Sequence, residues 1–467
     1  MDVLNHLMAQ LAGLEDAQRL YRLEASFLPG AVVMRWQGRD GLGEHAVTEV
    51  DVLSTRADLA LGEMLGQRAL LHTRLPSGET ALRGGLVAGA RRVGSDGGLA
   101  RYRLELQSWT WWLQHGRHSR VFQEQSVRQI VDAVLGEYAQ IACWRWAEGC
   151  DAFLEGRVRS YCVQYRESDL AFVQRLLTEE GLSWRTLADA EAPCGNVMEV
   201  FADSRRLPQA DANRAGVRFH RADATEKADS VLSIGHRRRL SSTRVTLRSD
   251  DYRSVQNLTA QQEVDGGGRL SAREAFDSPG AYAFSGWNAA QHYATLHAEA
   301  LEAQAQAWWG HGTVRGLRSG AWFTLQDAPR HDLPELLLVQ VEHQGINNLP
   351  VDVRKQLDAT LPVGIQRTSA VNPLPIAPNE ADLWAQAEQT GYAQRFIAAP
   401  HDKPWRSVLP DGTGTRLNPR ATAPGYQTAI VVGGSAEGGQ DLHCDALGRI
   451  KVRFHFQDGD GHHDSAW

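Results

Sequence analysis

The sequence predicts a mainly β fold with α-helical insertions, an α+β chain of more than one domain. Apolar and polar residues alternate with period two in segments spread along the chain, while two other segments switch to a 3.6-residue period behind capping residues. The order strand, helix, strand then occurs twice, a hint of internal duplication. At 467 residues the chain has room for about two to four domains.

From about residue 19 to residue 113 the pattern is that of strands. Tyr21, Leu23, Ala25 and Phe27 alternate with Arg22, Glu24 and Ser26, and GARRVG and ARYRLELQSW flank the turn residues Ser95, Asp96, Gly97 and Gly98. Short strands punctuated in this way predict a small barrel or sandwich. Val127, Ile130, Val131, Val134 and Leu135 then mark one face of a helix that Ser126 and Gln129 open as a capping box. A second helix is expected from Ser168 as N-cap, burying Leu170, Val173, Leu176 and Leu177 and stopping at Gly181. LSWRTLAD, VLSIGHRRRL and STRVTLRSD read as strands. A long helix is expected from about Trp287 to Trp309 with Gly310 as its stop, followed by strands in VRGLRSGAWFTLQD and ELLLVQVEHQG.

Pro373, Pro375, Pro378, Pro400, Pro404, Pro410 and Pro419, with Pro424 just beyond, make residues 371–420 read as a Pro-rich linker with one short helix near Asp382 to Glu388. QTAIVVGG and GRIKVRFHF are strands of a last domain, 421–467, that stops at Trp467 before it looks complete. The expected units are therefore 1–370, with barrel-like subdomains at about 15–190 and 197–370, then the linker, then the start of a further barrel.

Composition narrows the function. Charged residues make up 22% and apolar ones 42%, enough to bury a core, and 49 basic against 56 acidic residues leave a net charge of -7, which argues against nucleic acid as a partner. The longest apolar runs fall far short of a bilayer span, and the N-terminus lacks the pattern of a secretory signal, so folding in the cytoplasm is expected. The five cysteines form no CxxC pair.

Candidate chemical groups each have a plainer reading. His443, Cys444, Asp445 and His455 suggest a metal site, but period-two alternation sets Ile450, Val452, Phe454 and Phe456 against Lys451, Arg453 and His455. Asp458, Gly459, Asp460 and Gly461 resemble half a calcium loop without its final Glu, and His462, His463 and Asp464 cannot converge from one strand. Glu179 and Glu180 diverge by about 100° on a helix, a poor arrangement for an acid/base pair across a bond. No nucleophile elbow, zinc helix, P-loop or dinucleotide fingerprint is present, so no catalytic, cofactor or metal residue is expected.

Three ordered blocks resemble the VgrG family, the spike proteins of type VI secretion systems, which are related to phage late control D proteins. The first is RSYCVQYRESDLAFVQRLLTEEGLSWRTL, with Cys162, Tyr165, Arg166, Glu167, Ser168, Asp169, Leu176 and Gly181. The second joins FDSPGAYAF, the long helix, VRGLRSGAWFTL with Gly316, Gly320 and Phe323, and LLLVQVEHQGINN. The third is PGYQTAIVVGG with DALGRIKVRFHF, in which Asp445, Gly448, Arg449, Lys451, Val452 and Phe454 fit the family pattern.

The resemblance implies a phage tail-hub-like double barrel followed by the start of an OB-fold barrel at the base of a needle. It implies a homotrimer whose paired barrels form a pseudo-sixfold ring on the Hcp hexamer, seated in the type VI baseplate. A PAAR tip and effector would attach through the C-terminal β-helix, which has no counterpart before Trp467. It also implies a structural protein without cofactor or integral membrane segment, expelled by sheath contraction. The hub of a phage tail or of an extracellular contractile particle is the alternative; a cell-wall hydrolase or a nucleic-acid-binding barrel finds no support in the residues.

Overall fold

The alternating N-terminal segments become six antiparallel strands in the computed structural model, which describes residues 19–95, 99–212, 216–220, 229–251, 254–265, 272–328, 332–350, 382–411, 414–416, 425–432 and 444–457. They are β1 (Tyr21–Glu24), β2 (Val32–Gly41), β3 (Val47–Ser54), β4 (Arg68–Arg74), β5 (Thr80–Ser95) and β6 (Ala100–Gln107), in the sheet order β1-β4-β5-β6-β3-β2. No ladder joins β1 to β2. The Asn347 side chain joins them instead: Nδ2 donates to the carbonyls of Tyr21 and Val33, and Oδ1 accepts from the Tyr21 N–H. One amide thus supplies the rungs that close a first barrel around Tyr21, Trp36, Val50, Val52, Tyr102 and Leu104.

A first insertion follows. β7 (Arg117–Ser126) pairs with β9 (Val158–Ser168), and each runs directly into a helix, α1 (Val127–Gly136) and α2 (Asp169–Glu179). The serine that ends each strand caps the helix after it. Ser126 and Gln129 form the capping box, and Ser168 Oγ accepts from the Ala171 N–H at 3.2 Å. Ile130, Val131, Val134 and Leu135 pack with Phe172, Val173, Leu176 and Leu177 in one core. β8 (Trp144–Trp146), β10 (Ser183–Ala188) and β11 (Asn196–Phe201) complete the insertion in the order β10-β11-β8, so the boundary expected between 190 and 197 cuts into a hairpin.

The second half repeats the plan. β12 (Val217–Arg218) and β13 (Val231–Arg238) lead to a second insertion of β14 (Arg244–Asp251), β15 (Gln256–Glu263), β16 (Glu274–Asp277) and α3 (Trp287–Ala305), after which come β17 (Gln306–Gly312), β18 (Trp322–Phe323), β19 (Leu325–Gln326) and β20 (Leu336–Ile346). The helix α4 (Leu383–Thr390) and β21 (Tyr392–Pro400) follow. Pairing runs β13-β17-β21-β20-β18, then through β19 to β12, and Phe219 bridges back to Val231 at the start of β13. The circuit is a second closed barrel. Because β2 pairs with β20 from Arg35↔Ile346 to Gly41↔Gln340, both barrels share one continuous sheet. The last described ladders pair β22 (Leu409–Asp411) with β23 (Gly414–Arg416), and β24 (Ala429–Val431) with β25 (Val452–Phe454). Among the described residues no helix is long and apolar enough to cross a membrane.

Two expectations need correction. Within the stretch read as a linker, the short helix exists as α4, but all nine residues of β21 are buried between β20 and β17. The prolines that suggested a connector flank this strand or end it. The long helix also stops at Ala305: Trp308, Trp309 and Gly310 belong to β17, where paired neighbours on both sides stabilise an extended aromatic segment. Gly310 does not cap a helix. It leaves room for the Phe396 ring, whose Cζ would lie 2.6 Å from a Cβ there.

Candidate functional site

The three sequence blocks meet in space. In the first, Asp169 opens α2 with its side chain fully buried; Oδ1 accepts from His118 Nδ1 at 2.9 Å, Arg120 Nη2 at 2.9 Å and Gln164 Nε2 at 2.7 Å, and Oδ2 accepts from the Tyr138 hydroxyl at 2.7 Å. Burial alone would raise this carboxyl, but those hydrogen bonds and the Arg120 charge hold it below the usual range. Arg175 pairs with Glu167 at 2.6 Å, Cys162 is buried opposite Phe122, and Arg166 takes a positive φ of 52°. Leu176 is fully buried in the helix core.

Gly181 connects the first block to the second. Its φ is 75°, and a Cβ would stand 2.6 Å from Cδ2 of Leu296 on α3. Beside it, buried Glu180 accepts from Arg157, Arg159 and the Tyr293 hydroxyl of α3, while Glu179 pairs with Arg159. Through Tyr293, Glu180 therefore ties the first insertion to the second, while Glu179 braces α2 against β9. Gly320, with φ of 75°, gives its carbonyl to Arg185 Nη1 at 2.7 Å; Gly316 lies against Ala212; Phe323 meets Phe396 edge-on at 5.7 Å.

In the third block Asp445 accepts from the Leu447 and Arg449 N–H groups and from Arg449 Nε, and Gly448 has φ of 73°. Val452 pairs with Val431, Phe454 stacks on Phe456 at 5.0 Å, and neighbouring Lys451 is half-buried. Tyr165 ties this hairpin to the first insertion through the Phe456 ring at 4.9 Å and Gln427 at 3.4 Å. His443, Asp458, Gly459, Asp460, Gly461, His462, His463 and Asp464 lie outside the described residues.

Two assemblies escaped sequence reasoning. A buried polar cluster sits where the barrels join: His343 on β20 donates from Nε2 to Asp40 Oδ1 at 2.6 Å, and its Nδ1 faces the Tyr392 hydroxyl at 2.6 Å and Arg83 Nη2 at 3.1 Å. An arginine only donates, so Nδ1 is an acceptor and the ring is neutral. Burial, and then Arg83, push the imidazole down to about 4. Trp36 stacks on the ring and Ser319 N–H meets Asp40 Oδ2 at 2.7 Å.

The second is a strap after β21. His401 stacks on Trp322, Lys403 pairs with Asp265, Trp405 N–H donates to Ser204 Oγ, and Ser407 meets Ser183. Arg406, buried, donates to Glu299 on α3 at 2.7 Å and to the carbonyls of Gly181 and Ala202 at 2.6 and 2.5 Å. Asp40, Arg83, His343 and Tyr392 carry no local signal, because strand register alone brings them together, and Arg406 meets its partners only through the path of the strap.

The chemistry open to these groups is limited. Asp40, His343 and Tyr392 make an acid/base series by residue type, yet the ring is fully buried and committed at both nitrogens. Ligand atoms of His118, Glu137 and Asp169 lie within 4.8 Å of one another, but Arg120 pairs with both carboxylates and stands where a cation would sit. The arrangement is an ion-pair network centred on an arginine.

The model of the phage tail baseplate hub (GPD) family matches residues 39–349, more than half of the chain. The type VI secretion system spike protein VgrG1b of Pseudomonas aeruginosa is 27% identical over 467 residues, covering 97% of this chain and 55% of that protein. VgrG4b of the same organism is 30% identical over 445 residues, covering 92% and 48%. The chain spans about half the length of these curated relatives. Among solved structures, the E. coli c3393 protein, described as a component of the type VI secretion system with structural similarity to the T4 bacteriophage tail proteins gp27 and gp5, superposes with a TM-score of 0.61 at 19% identity, over 95% of this chain and 92% of that one. With two closed barrels in one sheet and a family match spanning both, the chain belongs to the phage tail baseplate hub (GPD) family, in which it resembles the VgrG spike proteins.

Proposed function

We propose that the chain forms the hub and needle base of a type VI secretion spike and acts as a structural part, not an enzyme. Three copies assemble so that two barrels from each give six similar units, which mate with the Hcp hexamer within the baseplate. The C-terminal hairpins begin an OB-type barrel, and the PAAR tip and effector attach through parts beyond those the chain spans. The protein folds in the cytoplasm and leaves with the contracting sheath. The observation that supports this reading is the repeated barrel with its inserted helix, since two like units per chain let a threefold assembly face a sixfold partner.

Light scattering of the full-length protein tests it: a mass of three chains is expected, with co-sedimentation on Hcp tubes. A stable monomer at micromolar concentration would sink the proposal. The name of the matching family model favours a second reading, the hub of a phage tail or extracellular contractile particle. Neighbouring genes for Hcp and a type VI baseplate decide between them. Peptidoglycan turnover by the purified chain, lost on changing Glu179 or Glu180, would overturn the structural reading.

A further inference from the structure

Helix α3 has two apolar faces. Ala290, Ala294 and Ala298 pack on its own sheet, against β14 and β15, whereas Leu296 and Ala300 turn toward Phe153 of the first insertion and Val408 at the end of the strap. His292 joins the second face, where the insertions meet. Its ring meets Phe153, in the short helix Cys150–Leu154, edge-on at 5.4 Å, and the guanidinium groups of Arg157 and Arg406 lie over the same phenyl ring at 5.2 and 5.5 Å. Nε2 is buried without a hydrogen-bond partner among the described residues. The carboxylates around the seam are committed elsewhere: Glu180 to Arg157, Arg159 and Tyr293, Glu179 to Arg159, Glu299 to Arg406, Asp203 to Arg205 and Asp151 to Arg128. A cleft runs beside the seam, lined by Arg157, Arg159, Glu179, Tyr293 and His297 among others.

A proton on this imidazole adds a third cation to Arg157 and Arg406 and a second buried donor with no acceptor. We propose that His292 is an acid-sensitive latch between the two insertions: the neutral ring lets α3 close on the first insertion, and the protonated ring parts them along the cleft. Burial first, then Arg157 and Arg406, push the imidazole down to about 4 from the ordinary 6.5. Once the seam parts, the ring is hydrated and returns to its ordinary value, so the open form takes up the proton first as pH falls. Closure is therefore complete above about pH 6.5 and is lost toward pH 4. Between pH 7.5 and 5 the opening equilibrium should rise about 25-fold, while the glutamates of the seam stay ionised.

Thiol accessibility tests the latch. Ala300→Cys places a small thiol in the buried face of the seam, and exposed Cys444 serves as the internal reference for the effect of pH on the labelling chemistry. With dithiodipyridine as the label, located by peptide mass, the ratio of the two rates should rise about 25-fold from pH 7.5 to pH 5, and should stay flat when His292→Phe is added to the same chain. A flat ratio with His292 in place, or an equal rise in both chains, overturns the latch. Deuterium exchange at the imidazole C2–H, read by mass spectrometry on the unaltered chain, needs no variant. His292 should titrate near 4 there. A value near the ordinary 6.5 overturns the latch, even where a variant fails to fold.

Discussion

Replacing Asn347 with Leu removes the amide that hydrogen-bonds to both β1 and β2 while keeping nearly the same volume. Three backbone groups of β1 and β2 lose their partner: the N–H and carbonyl of Tyr21 and the carbonyl of Val33. Tyr21 is 1% exposed and Asn347 1%, so water does not replace the amide without opening the seam. An unmet buried backbone group costs about 1–3 kcal/mol. Allowing for relaxation at the β1 edge, the variant should lose about 3–6 kcal/mol in urea melts. Fluorescence follows this barrel, because Trp36 packs edge-on against Tyr21 at 5.6 Å. Hydrogen exchange should show β1 and β2 opening while α1 and α2 keep their protection. A loss below about 0.5 kcal/mol, the usual range of surface changes, would refute the claim that Asn347 closes the barrel.

Leu176→Ala should cost about 2–5 kcal/mol, read from urea midpoints, because Leu176 is fully buried between α1 and α2. Gly181→Ala should lower Tm by several degrees, since the residue combines a left-handed φ with the Leu296 contact and neither accepts a Cβ. For His343 the folded value of about 4 lies below the ordinary 6.5, so the unfolded chain takes up the proton first as pH falls. Stability is complete above pH 6.5 and declines toward pH 4, by about 3 kcal/mol at about 1.4 kcal/mol per pH unit. Urea melts of wild type and His343→Gln at pH 7 and 4.5 test this, and equal losses in both would refute it. Asp40, facing the same ring, adds to the decline only near and below the usual carboxylate range.

Local rules carried the helices, because a cap and one apolar face fit within a dozen residues: Ser168, Leu176 and Gly181 stand where the pattern puts them. They carried strand β20 for a similar reason. They failed at β21, where YAQRFIAAP has small residues in place of the branched ones that mark strands, and prolines nearby suggested a connector. They failed also at the buried cluster. Asp40, His343 and Tyr392 are ordinary polar residues until β2, β20 and β21 align in register and Arg83 joins them from β5. The same holds for Asn347, legible as part of a block but not as a barrel closure.

The position of β21 has a mechanical consequence. Tension applied through the C-terminal hairpins reaches the strap first, where Arg406 and its neighbours hold both insertions, and then the end of a strand paired on both edges. Pulling along that axis strains the rungs to β20 and β17 together, in shear, whereas an edge strand would peel away one bond at a time. A push along the same axis is spread in the same way across both barrels, because the loaded strand lies inside the sheet they share.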